Sequence, residues 1–382
     1  MNGTKQELFY VKSPYVRLKG VPRAKTRVKN KAIPTLSKIT LGAIDLHCHG
    51  AFGIDLMRAS SSQLTWLSKK LFQKHVAGFL PTTLSAPQSQ IEAALERLGA
   101  WIAEQHRAGP TAGLAFPLGI HLEGPFIAQA CCGAHPASCL LKASLPLLRK
   151  WQKLAQGKIA KITLAPESAR WSELRKILQW AHDEKISISI GHSNAQPEQH
   201  HRTLKAGANS ITHAWNAMPF HHRNPGLLGI ALGRPDLFIE IIPDGIHVAD
   251  SVVLWTQKLH PRGLCWVSDS VPAAHSTQEV SFGSLRVQIR AGAGRTSDGG
   301  LAGGAQTLHE TFSKFLSRNY RNQALPPTLW VQFLEALSRN PLESLPSAQG
   351  WKTRLHQSHQ FQYLWNGRLN VKPWRSRHAD QE

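Results

Sequence analysis

The sequence predicts an α/β protein: a (β/α)8 barrel of the TIM type with a small, reduced β appendage from the chain termini. Two patterns carry this prediction. From Leu41 onward, short apolar runs alternate with amphipathic stretches. Roughly eight such pairs occur, the rhythm of βα units closing a parallel sheet. No Gly-x-Gly-x-x-Gly follows an early strand, which counts against an open doubly wound sheet.

The elements follow in order. Residues 1–40 form a flanking segment, with basic residues crowded between Arg17 and Lys38 and no run of strands before Leu41. The barrel covers residues 41–345. Thr40-Leu46 reads as its first strand because a continuous apolar run of this length suits a strand buried on both faces. Ser61-His75 then reads as helix, Phe79-Thr83 as strand and Gln88-Gln105 as helix. Leu114-Leu122 and Lys161-Ala165 are strands on either side of a helix at Leu145-Leu154. Trp171-Asp183 is helical, Ile186-Gly191 strand, Pro197-Lys205 helix and Asn209-His213 strand. Leu237-Pro243, Ala249-Leu259 and Leu264-Ser268 repeat the alternation. Near 279–300 the pattern changes to short runs broken by glycines, which predicts a hairpin insertion. Thr307-Ser317 and Leu329-Leu337 close the barrel as helices. Residues 346–382 form a C-terminal β appendage, with a turn at Trp365-Asn366-Gly367-Arg368.

Composition narrows the function classes. With 382 residues the chain can bury a large core. Five cysteines, two of them adjacent at Cys131-Cys132, make neither an even disulfide framework nor a Cys-x-x-Cys motif. Thiols in a reducing compartment are expected, and no apolar run is long enough to span a bilayer. A cytoplasmic protein without a membrane partner follows. The formal charge of +21 favours anionic partners. A nucleic acid is not expected, since no RNP, KH or helix-turn-helix signature is present.

The chemistry lies at strand ends. His47 and His49 are two residues apart in a strand and so share a face. In a chain with twenty histidines this pair says little alone. In a barrel of this kind, however, functional residues sit where strands end on the C-terminal face. Those positions give His47 and His49, then Glu123, His192, His213 and Asp269. Four imidazoles and two carboxylates at one mouth form a ligand set for one or two divalent transition metals.

These residues lie within longer motifs. His121-Leu122-Glu123-Gly124-Pro125-Phe126, Gly133-Ala134-His135-Pro136, Leu164-Ala165-Pro166-Glu167, Gly191-His192-Ser193 and Thr212-His213-Ala214-Trp215-Asn216-Ala217-Met218 occur in that order. His222-Arg223-Asn224-Pro225-Gly226, Asp244-Gly245-Ile246-His247-Val248, Ser268-Asp269 and Leu301-Ala302-Gly303-Gly304 complete the set. From about Ala43 to Pro341 the chain resembles the N-acetylglucosamine-6-phosphate deacetylases of the amidohydrolase superfamily.

The resemblance implies removal of the N-acetyl group of N-acetylglucosamine 6-phosphate, giving glucosamine 6-phosphate and acetate. It implies that Glu123, His192 and His213 hold a principal metal. His47 and His49 would hold a second, with Glu123 able to bridge and Asp269 touching that site. Zinc is the first expectation, in one or two ions per subunit; iron, cobalt or manganese also suit such ligands. Asp269 aligns with the catalytic aspartate and His135 with a histidine beside the reacting amide. Asn216, Ala217, Arg223 and His247 align with sugar and phosphate contacts, and Leu301, Ala302 and Gly303 with backbone lining the pocket. A homodimer is implied, in which the loop Phe220-Leu227 reaches the neighbouring subunit.

The chain departs from the family's pattern at its ends and at Ser270-Val271-Pro272, where a proline enters a loop expected beside the pocket. Two alternatives remain: the same chemistry on another N-acylated amino sugar, and a non-catalytic polyanion-binding protein on the same barrel. Separately, the basic stretches Arg17-Lys38 and Arg368-Arg377 are expected either to meet another polyanion or simply to solvate the protein.

Overall fold

The computed structural model describes residues 35–373. Its centre is the expected barrel. The eight parallel strands are Ala43–Cys48, Val76–Pro81, Ile120–Glu123, Ile159–Leu164, Ser187–Ile190, Ser210–Ile211, Phe238–Ile241 and Leu264–Trp266. The third is preceded by a short stretch, Phe116–Pro117, that pairs with the second. Every ladder between barrel neighbours is parallel. The ring closes through a parallel bridge between Cys48 and Ser270, and through the His49 N–H donating to the Ser270 carbonyl at 2.9 Å. Asp45 ties the same seam, accepting from Ser268 Oγ at 2.6 Å and from Ser268 N–H at 3.1 Å.

The strands are short and buried along nearly their whole length, as expected where one face meets helices and the other fills the barrel. The helices between them are amphipathic. Trp171–Asp183 buries Leu174, Ile177, Leu178 and Ala181 at spacings of three and four, the helical period. Ser61–Gln73 begins at Ser60 with a reciprocal cap between Ser60 and Gln63, which satisfies free N–H groups of its first turn.

Four expectations need correction. The run Thr40-Leu46 is not one strand, because the chain leaves one sheet and enters another at Gly42. Leu36–Leu41 belongs to a small antiparallel sheet, and Ala43–Cys48 to the barrel. A side chain at Gly42 would put its Cβ 2.6 Å from the Phe361 ring and 2.9 Å from the His75 carbonyl. Only glycine lets the chain turn that close to the ring. A strand therefore does precede Leu41, and it was unreadable locally because its partner, Gln360–Trp365, lies at the other end of the sequence.

Second, the C-terminal segment is not all β. Residues Pro346–Trp351 and Lys352–Ser358 are helical, and only then does the hairpin Gln360–Trp365 and Leu369–Pro373 begin. Third, the insertion is a four-stranded antiparallel meander, Val280–Phe282, Leu285–Arg290, Ala293–Thr296 and Leu301–Gly304. Its last strand bridges to Ser270 at the mouth. Fourth, Pro272 does not face the pocket: it is buried against Gly50, and its carbonyl accepts from the Gly53 N–H at 2.8 Å.

All five cysteines are free thiols. Among the described residues no helix is long and apolar enough to cross a membrane. The basic run Arg17–Lys38 lies outside the described residues except at its end, and Arg368–Arg377 is described only to residue 373.

Candidate active site

Six ligand-type residues converge where the strands end. His47 and His49 rise from the first strand, Glu123 ends the third, and His192 and His213 follow the fifth and sixth. Asp269 follows the eighth. Two sets of donor atoms gather within 4.8 Å: Glu123 with His192 and His213, and Asp269 with His47 and His49. Glu123 stands between them. Its Oε1 lies 3.3 Å from His192 Nε2, 3.1 Å from His213 Nε2 and 3.2 Å from His47 Nε2. Its Oε2 lies 3.1 Å from His49 Nε2 and 3.3 Å from His135 Nε2. Asp269 Oδ1 is 3.4 Å from Nε2 of both His47 and His49.

The local backbone is strained in order to aim these groups. His192, His213 and Asp269 all have φ in the left-handed region, at 49°, 28° and 48°. Such conformations persist only where the surroundings enforce them, and they cluster at functional sites. Gly303 allows the meander to lie against Asp269, since a Cβ there would stand 2.5 Å from the Asp269 carbonyl oxygen.

The arrangement fits a divalent metal. His192 Nδ1 donates to the Cys131 carbonyl at 2.7 Å, which leaves the Nε2 lone pair free as a ligand. His213 Nε2 and His192 Nε2 are only 2.9 Å apart, and His47 Nε2 and His49 Nε2 only 3.1 Å. Nδ1 of His47, His49 and His213 is buried without a hydrogen-bond partner. Facing Nε2 atoms gathered around carboxylates are what shared cations require.

The electrostatics agree. Burial pushes the Glu123 carboxyl up, but His47 and hydrogen bonds from His135, His192 and His213 hold it well below the usual range. Burial lowers the His47 imidazole, yet Glu123 and Asp269 together raise it well above its ordinary value. A pocket that draws a proton so strongly is one that favours positive charge.

His135 plays a different part. The Ser85 N–H donates to its Nδ1 at 3.2 Å, and Ser85 Oγ lies 2.7 Å from the same nitrogen. Its proton is therefore on Nε2, directed into the site. Burial lowers its pKa to about 4, so the ring is neutral near pH 7.

These groups face a cavity of about 540 Å³, in the usual range for small-molecule sites. Its wall includes Asn216, Ala217, His247, Leu301, Ala302 and Gly303. His247 is held by Asp244, whose Oδ2 lies 2.7 Å from Nδ1. Burial lowers the His247 pKa, but Asp244 outweighs it and the net shift is upward. Two expected residues are not on the wall. His47 lies fully buried behind it, and Arg223 is exposed in the turn His221–Asn224.

Sequence reasoning missed several contributors. Ser85 and Cys131 fix the tautomers of two histidines, and Phe282 reaches the cavity from the meander. Below the metal set a fully buried Lys161 pairs with Glu240. A lysine inside the apolar run Ile159–Leu164 was the available signal.

Fold and site together define a barrel of the amidohydrolase superfamily. No family model matches the chain, but individual relatives do. It is 36% identical over 291 residues to N-acetylglucosamine-6-phosphate deacetylase of Bacillus subtilis (strain 168), spanning 72% of this chain and 69% of that protein. It is 32% identical over 264 residues to N-acetylgalactosamine-6-phosphate deacetylase of Escherichia coli O157:H7, spanning 68% and 67%. The crystal structure of N-acetylglucosamine-6-phosphate deacetylase from Thermotoga maritima matches with a TM-score of 0.72 at 25% identity, over 88% of this chain and 89% of that one. The chain belongs to the N-acetylglucosamine-6-phosphate deacetylase family.

Proposed function

We propose that this protein is a metal-dependent hydrolase that removes the N-acetyl group of N-acetylglucosamine 6-phosphate, releasing acetate and glucosamine 6-phosphate. The observation that carries the reading is the double ligand set around Glu123, opening onto one cavity with Asp269 at its edge. Zinc is the metal of first choice for imidazole and carboxylate ligands, with iron, cobalt and manganese as substitutes.

Glu123, His192 and His213 would hold one ion, and His47, His49 and Asp269 a second. When bound, a divalent ion supplies a water acidified to a pKa of about 7 and an electrophile for a carbonyl oxygen. Asp269 would take a proton from the attacking water and deliver it to the departing sugar nitrogen. Burial raises the Asp269 carboxyl, but His47 and His49 bring it below its usual value, so it starts ionised. His135, with Nε2–H directed inward, donates to the oxyanion that develops on the acetyl oxygen. Asn216, the backbone at Ala217 and Leu301–Gly303, and His247 hold the sugar. Arg223, carried on the loop Phe220–Leu227, grips the phosphate of a neighbouring subunit in a homodimer, since it stands off its own cavity wall. A metabolic enzyme of this kind works in the cytoplasm.

The E. coli relative named for the galacto sugar makes the 4-epimer a second reading. Acetate release from zinc-loaded protein is measured on N-acetylglucosamine 6-phosphate, N-acetylgalactosamine 6-phosphate and unphosphorylated N-acetylglucosamine. The proposal expects the highest kcat/KM on the first. Higher kcat/KM on the second moves the assignment to the epimer, and no release from any of them overturns it.

A further inference from the structure

Beneath the mouth, the barrel interior holds an ion pair that the proposed reaction does not use. Lys161 from the fourth strand and Glu240 from the seventh are both fully buried. Lys161 Nζ donates to Glu240 Oε1, and also to Ser210 Oγ at 3.1 Å. The other carboxylate oxygen, Glu240 Oε2, has no hydrogen-bond partner. It lies 3.6 Å from His47 Nδ1, which also has none. Two unpartnered buried atoms of opposite hydrogen-bonding character thus face each other, within about half an ångström of hydrogen-bond range.

We infer that Glu240 is the positioning carboxylate of His47, and that Lys161 holds Glu240 in place for that role. The inference rests on the proposed metal reading. A His47 that ligates through Nε2 must carry its proton on Nδ1, and a metal-ligating histidine commonly gives that proton to a carboxylate. Glu240 Oε2 is the acceptor in reach. Lys161 fixes the other oxygen, so the carboxylate cannot rotate away, and its charge keeps Glu240 anionic. His121 completes the packing: its ring meets His47 edge-on at 4.6 Å, while its own nitrogens are taken by the Leu46 carbonyl and Thr163. It therefore leaves His47 Nδ1 to Glu240.

A pair that merely fills the barrel makes a different prediction. Leucine and methionine would fill the same volume, and replacing a buried ion pair with apolar residues is often neutral for stability. Such a swap should then leave metal affinity alone.

The test is zinc titration of the full chain against a competing chelator, comparing wild type, the double variant Lys161→Met/Glu240→Leu and the double variant Lys161→Met/Glu240→Gln. The inference expects the leucine variant to lose 10–100-fold in affinity at one of two zinc sites. The other site should stay within about threefold, and the glutamine variant, which keeps an acceptor, should recover most of the loss. Equal affinities in all three proteins, or equal weakening of both sites, overturns it. Wild-type protein that takes up no zinc overturns the proposed function as well, a separate and recognisable result. Should the variants not fold, zinc-loaded wild type is read by ¹⁵N NMR. A His47 proton on Nδ1, shifted downfield by a carboxylate, supports the inference, and a bare Nδ1 overturns it.

Discussion

The mouth of the barrel and the three-stranded sheet beside the start of its first strand are built on opposite terms. At the mouth, imidazoles and carboxylates crowd together within 4.8 Å of one another, and three ligand-type residues sit in left-handed backbone. In the sheet, Gln360–Trp365 buries every second residue, Phe361, Tyr363 and Trp365. No non-glycine residue of its three strands has a positive φ. The mouth gives up local stability for a charged cavity, whereas the sheet gives apolar burial and touches no ligand residue. Damage to the first should therefore appear in turnover, and damage to the second in stability.

Asp269→Asn is the sharpest way to break that contrast. The variant keeps shape and removes the proton acceptor, so kcat should fall by roughly 10²–10⁴-fold. Any loss of thermal stability should be small beside that, since the variant gives up the attraction of His47 and His49 for the carboxylate but also the repulsion from Glu123. Near-normal turnover would remove the general-base role.

Phe361→Ala is its mirror image. The ring is buried against Gly42, with its centre 5.5 Å from the tilted ring of Phe72 and 5.4 Å from that of His75, which it meets edge-on. Its loss should cost about 3–5 kcal/mol in denaturant unfolding. Activity per folded molecule should stay within about twofold, as expected of a site far from the chemistry. A variant that kept its stability and lost turnover would invert the comparison.

How well each region could be read from the sequence follows the same division. Strand-end residues such as Glu123, His192 and Asp269 were legible because barrel topology sends every strand end to one face. The aromatic hairpin announced itself through Trp365-Asn366-Gly367-Arg368. Leu36–Leu41 did not, because what makes it a strand is a register with Leu36 opposite Trp365, and no local pattern encodes a partner so distant. Lys161 and Glu240 were hidden for another reason. A lone charge in an apolar strand reads as noise until the opposite strand supplies its counter-ion.

A third test separates the regions by pH. Burial lowers His309 to about 3 and His200 to about 4, and both rings are neutral in the fold. The unfolded chain takes up those protons near pH 6.5. Between that value and the folded one, the unfolded state binds more protons, so stability must fall as pH drops. At pH 5 each group should remove about 2 kcal/mol relative to pH 7. Replacing His309 by Leu should flatten the unfolding free energy between pH 6.5 and 5. An unchanged slope would remove His309 from the groups that set the acid sensitivity.

The smallest expected effect is at Arg223, and it probes where the mouth ends. Arg223 is exposed and off the cavity wall of its own chain, so an isolated subunit gives it no ligand. If its guanidinium completes the phosphate site of a second copy, Arg223→Ala should raise KM for the phosphorylated sugar about tenfold, near the lower end for a lost charge-assisted hydrogen bond. KM for unphosphorylated N-acetylglucosamine should not move. Lysine should rescue only in part, because an ammonium cannot make the two parallel bonds that a guanidinium makes to phosphate. Equal changes on both sugars would confine Arg223 to the turn it sits in and return the mouth to the residues of a single chain.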